Sequence, residues 1–134
     1  MNLSHFEASL ECVATHMGDP VTQVYATLFV RQPELKGLFV LDTDGAVRGE
    51  MLARVFESLE ALVANAGYAE QLLQAEYINH CAMGIPVGGF TLFLDVLIET
   101  FTVGVGDDWS PEFEIVWREL QARIAALEAA ADTQ

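Results

Sequence analysis

The sequence predicts a single all-α domain built from about six substantial helices. Apolar residues recur at three- and four-residue spacing in one segment after another, as on the buried faces of helices. No segment shows the alternation of apolar and polar residues that is typical of a half-buried strand. With 134 residues, of which 52% are apolar, the chain is long enough for one continuous hydrophobic core.

The first half of the chain predicts three of these helices. The first has an apolar stripe formed by Leu3, Phe6, Leu10, Val13 and Met17. Asp19 and Pro20 signal the start of the second, since Asp caps a helix and Pro suits its first turn. Its apolar face contains Val21, Val24, Tyr25, Leu28 and Phe29. This helix ends before Pro33, a short turn reaches Phe39, and residues 42–45 form a second turn. The third helix is lined by Arg48, Leu52, Val55, Leu59 and Leu62.

The second half predicts three more helices. Residues 65–67 close the third helix, and the fourth presents one face formed by Leu72, Leu73, Glu76 and His80. Residues 84–86 break it, and a strongly apolar helix follows with Phe90, Phe93, Leu94, Leu97, Ile98 and Phe101. Ser110 and Pro111 signal the start of the last helix, and we expect the tail at residues 129–134 to fray.

The charge balance argues against two classes of partner. Six Lys and Arg face twenty Asp and Glu, so the net charge of −14 repels nucleic acid phosphates and anionic lipids. The longest charge-free stretch, residues 81–94, contains Gly and Pro and is too short to span a bilayer. The first residues have neither a basic start nor an apolar run, so we expect no signal peptide and a cytoplasmic protein.

His80 is the first candidate for chemistry. A lone histidine on an apolar helix face is commonly a core residue, but imidazole is also a common axial ligand of haem iron. A ligating histidine needs an acceptor for its second ring nitrogen, and the carbonyl of Glu76 lies one helical turn earlier. His5 and His16 lie in or near the first helix and offer no comparable face. No Cys or His pair has zinc spacing, which disfavours a structural metal.

Four segments, in the right order, resemble those of bacterial single-domain globins and of flavohaemoglobin globin domains. Tyr25 through Phe39, with Phe29, Pro33, Glu34 and Leu35, resembles their second helix and the following corner. Residues 48–52 resemble the start of their helix E, and residues 80–85 the end of helix F. Residues 106–112, followed by Trp117, resemble the turn into the last helix. The resemblance implies one globin domain over residues 1–134, with six to seven helices around a haem b pocket and no reductase module.

The resemblance also implies roles for individual residues. His80 matches the iron ligand, and Phe39 matches the aromatic residue that packs flat on the haem. Tyr25 matches the distal tyrosine whose hydroxyl donates to a ligand, although an ordinary buried hydrogen bond is the alternative. The remaining walls of the pocket are assigned to Leu52 on the distal side, Ile85, Phe90 and Phe93.

Three residues depart from the family pattern. Arg48 stands where relatives place His or Gln, and three placements are open. It pairs with a haem propionate at the rim, which we favour, hydrogen-bonds to Tyr25 and a ligand, or is solvated at the helix start. Phe90 replaces a tyrosine of the proximal hydrogen-bond network, which disfavours peroxidase-like or dedicated dioxygenase chemistry. Glu76 is unusual on a haem-facing stripe, and the sequence does not choose its role.

Three functions remain in view. The leading hypothesis is a haem protein that reversibly binds oxygen, carbon monoxide or nitric oxide, rather than a dedicated enzyme. The second is nitric-oxide dioxygenation or peroxide reduction on the same haem, which needs an external reductase as partner. The third is a haem-free sensory or interaction module, because a fold does not by itself imply a function.

Overall fold

The structure, a computed structural model, describes residues 1–133 as a set of helices joined by short turns. Six α-helices run over Leu3–Met17 (α1), Val21–Arg31 (α2), Ala46–Val63 (α3), Ala69–Ala82 (α4), Gly89–Val105 (α5) and Pro111–Asp132 (α6). Two 3₁₀ helices, Pro33–Phe39 and Gly106–Asp108, precede α3 and α6. The predicted all-α fold is confirmed, and the turn expected before Phe39 is a 3₁₀ helix.

Helix α5 is the centre of the core. It packs against α1, α2 and α6, and it buries Val96, Leu97, Ile98 and Phe101. Trp117 of α6 lies 5.3 Å from Phe6 and 5.5 Å from Phe101 between ring centroids. Its indole N–H donates to the Ser9 hydroxyl at 2.8 Å, so the buried polar atom is satisfied. The segment Gly89–Asp108 is long and apolar enough to cross a membrane by length and composition alone, as a core helix also can be.

The start signals of the sequence correspond to real caps. The Ser110 hydroxyl accepts a hydrogen bond from the Phe113 amide at 3.2 Å, with Pro111 in the first turn of α6. A carboxylate oxygen of Asp19 accepts from the Val21 amide at 3.1 Å, next to the start of α2. These caps join residues two or three positions apart, which is why the sequence alone predicts them.

The end of α6 differs from the prediction. The expected frayed tail began at residue 129, but α6 continues to Asp132 and buries Ala131. The physical reason is a contact with α4, since the Tyr77 hydroxyl donates to the Asp132 carboxylate at 2.9 Å. Gln134, the last residue of the predicted tail, lies outside the described residues.

Candidate functional site

His80 lies in the last turn of α4 with a fixed ring orientation. Its Nδ1 is 2.6 Å from the Glu76 carbonyl oxygen, which is the hydrogen bond that the sequence predicts. Because a carbonyl can only accept, Nδ1 carries a proton, and in the neutral tautomer Nε2 keeps a free lone pair. The side chain is 24% exposed. A neutral imidazole held in this way is suited to bind a metal through Nε2.

The Glu76 side chain adds a weaker interaction on the same side of His80. A carboxylate oxygen of Glu76 lies 3.9 Å from Nδ1, and half of the side chain is exposed to solvent. This distance is beyond a hydrogen bond, so the backbone carbonyl is the main partner of the imidazole.

Phe90 completes the surroundings of His80. Its ring meets the His80 ring edge-on, with centroids 5.2 Å apart, and it meets Tyr77 in the same manner at 5.3 Å. Because Phe90 is the second residue of α5, the start of that helix determines where this ring lies. The orientation of His80 therefore depends on one hydrogen bond within α4 and one aromatic contact from α5.

The start of α5 is held by a carboxylate from α6. Gly88 precedes the helix in a left-handed conformation, with φ of 77°, and has no side chain to cap it. Glu128 of α6 accepts from the amides of Phe90 at 2.9 Å and Thr91 at 3.2 Å, and from the Thr91 hydroxyl. Only 4% of Glu128 is exposed. A buried glutamate thus caps α5 from a different helix.

Glu128 is a residue that the sequence reasoning missed. A signal was present, because Glu128 follows Ile124 by four residues on the buried stripe of the last helix. A carboxylate on such a stripe needs partners, since an unpaired buried charge is costly.

Tyr25 lies among the other residues predicted to line the pocket. The residue is 3% exposed, and its ring centroid lies 5.5 Å from that of Phe39 and 5.9 Å from that of Phe93. Phe93 follows Phe90 by three residues on α5, so one helix face reaches both the Tyr25 group and His80. Leu52 is buried in the core that includes Tyr25, and Ile85 packs against that core from the corner after α4.

The Tyr25 hydroxyl has no hydrogen-bond partner within residues 1–133. Every fully buried side-chain nitrogen or oxygen in this part of the chain does have one, so the Tyr25 hydroxyl is not completely buried. Burial raises the pKa of Tyr25 to about 12, while the Arg48 charge lowers it and the Asp42 charge raises it. The hydroxyl is therefore protonated at neutral pH and free to donate.

Arg48 has a partner that the three placements considered for it did not include. Its Nε donates to a carboxylate oxygen of Asp42 at 2.9 Å, and its Nη2 donates to the Asp42 backbone oxygen at 2.9 Å. The side chain is 29% exposed, so it is neither fully solvated nor sealed in the core. The remaining N–H groups of the guanidinium are still able to donate to a propionate or a ligand.

Asp42 was recognised in the sequence only as part of a turn. Its buried carboxylate also accepts from the amides of Val47 and Arg48, each at 3.0 Å. Helix α3 begins after Gly45, which has φ of 78° and no capping side chain, so Asp42 acts as its cap. Burial alone would raise the pKa of Asp42, but these amides and the guanidinium together lower it. Asp42 is therefore ionised at neutral pH.

One comparison with known proteins gave a match, and this match covers most of the chain. A model of the globin family matches residues 22–127, a range that includes every predicted site residue from Tyr25 to Phe93. Searches of curated proteins and of solved structures found no match.

Proposed function

The chain belongs to the globin family, and on that premise we propose that His80 binds the iron of one haem b. We infer further that the protein reversibly binds a diatomic ligand such as oxygen, carbon monoxide or nitric oxide. The observation that carries this proposal is the hydrogen bond from His80 Nδ1 to the Glu76 carbonyl, which leaves Nε2 free. When bound at His80, a haem would supply an iron that can take a diatomic ligand.

The residues around the site fit a haem. Phe39, Ile85, Phe90 and Phe93 are partly exposed although they are apolar, and they pack on the core with one side only. A flat apolar group placed between them would bury their remaining surface, which stabilises the complex by the hydrophobic effect. Tyr25 fits as well, because its hydroxyl lacks a partner within residues 1–133.

The distal residues would act on a polar ligand. The protonated Tyr25 hydroxyl donates a hydrogen bond to it, and Leu52 excludes water from the surroundings of the ligand. Arg48 is proposed to contribute to haem binding only through the N–H groups that Asp42 leaves free.

The decisive experiment is the absorption spectrum of the purified protein. We expect a Soret band, and distinct ferrous spectra with oxygen, carbon monoxide and nitric oxide. The His80→Ala variant should lose most of its haem, because its iron ligand is removed. His5→Ala, which removes a histidine from α1, is the matched control and should retain haem. Full haem in His80→Ala with an unchanged histidine–iron signature would refute the assignment.

The same spectra separate the alternatives. A haem-free interaction module predicts no Soret band even after addition of haem. Nitric-oxide dioxygenation or peroxide reduction predicts turnover when an external reductant is supplied. Phe90, which has no hydroxyl to join a proximal hydrogen-bond network, favours ligand binding over these reactions.

A further inference from the structure

Asp42 and Arg48 form an ion pair on the proposed distal side, and both charges act on Tyr25. We propose that Asp42 is a positioning residue that holds the Arg48 guanidinium at the start of α3 and cancels its charge beside Tyr25. The pair thereby selects against anionic ligands in favour of neutral ones. The claim about ligands rests on the proposed function, whereas the claim about position concerns the protein alone.

The geometry ties Arg48 to Asp42 at several points. One carboxylate oxygen of Asp42 accepts from both the backbone amide and the Nε of Arg48, at 3.0 and 2.9 Å. The Asp42 carbonyl accepts from Nη2, so backbone and side chain of the aspartate hold the same guanidinium. The Asp42 side chain is 4% exposed, which protects the pair from solvent screening.

The guanidinium also lies over the turn itself. A Cβ atom added at Gly45 would be 3.5 Å from Arg48 Nη2, so the glycine leaves room for the arginine to fold back. The Arg48 side chain thus folds back along the turn that joins Asp42 to α3. Release from Asp42 would allow its long side chain to swing in other directions.

Both charges act on the Tyr25 hydroxyl. Arg48 lowers the pKa of Tyr25 and Asp42 raises it, so each charge is felt at the place where a ligand would meet the hydroxyl. The two charges therefore act on the hydroxyl in opposite directions. Removal of one leaves the other uncompensated in a partly buried site, where charge interactions are stronger than in water.

This arrangement predicts opposite effects of the two single variants on an anionic probe. In the haem-loaded ferric protein, Asp42→Asn should tighten azide binding about tenfold, because the guanidinium is then uncompensated. Arg48→Leu should weaken azide binding about tenfold, because the carboxylate is then uncompensated. The double variant, with Asp42→Asn and Arg48→Leu together, should lose the tighter azide binding of Asp42→Asn. The affinity of the ferrous protein for carbon monoxide, a neutral ligand, should change less than azide affinity does.

The matched control is Asp44→Asn. Asp44 accepts from the Ala46 amide at 3.1 Å and so contributes to the same helix start without touching Arg48. Azide affinity should stay at the wild-type value in this variant. Equal azide affinities in Asp42→Asn, Arg48→Leu and wild type would overturn the charge argument, as would an equal change in Asp44→Asn.

A second measurement needs no haem. In the apoprotein, hydrogen exchange at Arg48 Nε, followed by NMR, should accelerate at least about tenfold in Asp42→Asn and remain slow in Asp44→Asn. Fast exchange in wild type would overturn the positioning claim. If wild type binds no haem, the proposed function fails, and this exchange result still decides whether Asp42 holds Arg48. If Asp42→Asn does not fold, the exchange rate in wild type and the sign of the Arg48→Leu effect decide instead.

Discussion

Helices α3 and α5 both lack a capping side chain at the residue that precedes them, and carboxylates at very different distances along the chain cap them instead. Each follows a left-handed glycine that offers no capping side chain. Asp42 caps α3 from five and six residues before the amides that it binds, whereas Glu128 caps α5 from 37 and 38 residues away. The distal corner, residues 42–48, thus has its helix cap within a short piece of chain. The proximal side, where α5 starts beside His80, has its cap only when α6 is in place.

The largest effect should come from the distant cap. Glu128→Ala removes three hydrogen bonds to a buried carboxylate and leaves the amides of Phe90 and Thr91 without their partner. We expect the free energy of unfolding to fall by about 2–3 kcal/mol, measured by urea denaturation. Glu119→Ala, which changes an exposed carboxylate on the same helix, is the control. Equal stability of the two variants would contradict the capping role.

A comparison with the local cap sharpens this result. Asp42→Ala should destabilise the protein less than Glu128→Ala, because Asp44 continues to accept from the Ala46 amide at the start of α3. Urea denaturation of the two variants side by side measures the difference. A larger loss in Asp42→Ala would show that the distal corner depends on its cap more than the proximal side does.

The Tyr25 hydroxyl should affect ligand release rather than stability. Tyr25→Phe removes a hydroxyl that has no partner within residues 1–133, so the fold should be spared. The loss of one hydrogen bond to a ligand corresponds to about 1–2 kcal/mol, or roughly a tenfold faster oxygen dissociation. Stopped-flow measurement of this rate checks the prediction. An unchanged rate would mean that the hydroxyl points away from the ligand.

The smallest effect should come from an exposed ion pair, in contrast to the two buried carboxylates. His16 Nε2 lies 2.9 Å from an Asp108 carboxylate oxygen, and Cys12 is the other titratable neighbour. The backbone oxygen of Cys12 raises the pKa of His16, burial lowers it, and Asp108 raises it further, so the net pKa lies above the usual 6.5.

A raised folded-state pKa means that protonated His16 stabilises the folded state. This contribution is complete below the unfolded-state pKa of 6.5 and is lost as pH rises through the folded-state pKa. Asp108→Asn should therefore destabilise the protein more at about pH 5.5 than at about pH 8.5, in thermal unfolding. A pH-independent difference would exclude the pair as its source.

The features that the sequence predicted correctly are those determined by residues close together in the chain. The bond from His80 to Glu76 spans one helical turn, and Ser110 caps α6 within three residues, so both follow from local spacing. The resemblance to globins grouped Tyr25 with Phe39 and Phe93, and the structure brings these rings together. The roles of these residues toward haem remain predictions.

Other features depend on the approach of distant segments or on the shape of a turn. Glu128 reaches α5, and Asp132 meets Tyr77 across 55 positions, so spacing within one helix did not identify the partner of either residue. The position of Arg48 depends on the direction of the Asp42 side chain, which turn composition does not specify. Asp42 was therefore not foreseen as a partner of Arg48, and the placement of Arg48 at a haem propionate stays a prediction.

The distant cap also has a consequence for the order of folding. During synthesis the corner between Asp42 and Arg48 can close as soon as those residues have emerged, because its loop is short. The start of α5, by contrast, remains uncapped until Glu128 is available and α6 has docked. The distal and proximal walls of the proposed pocket should therefore reach their final structures at different times. Phe90 should reach its final position beside His80 only after α6 has docked.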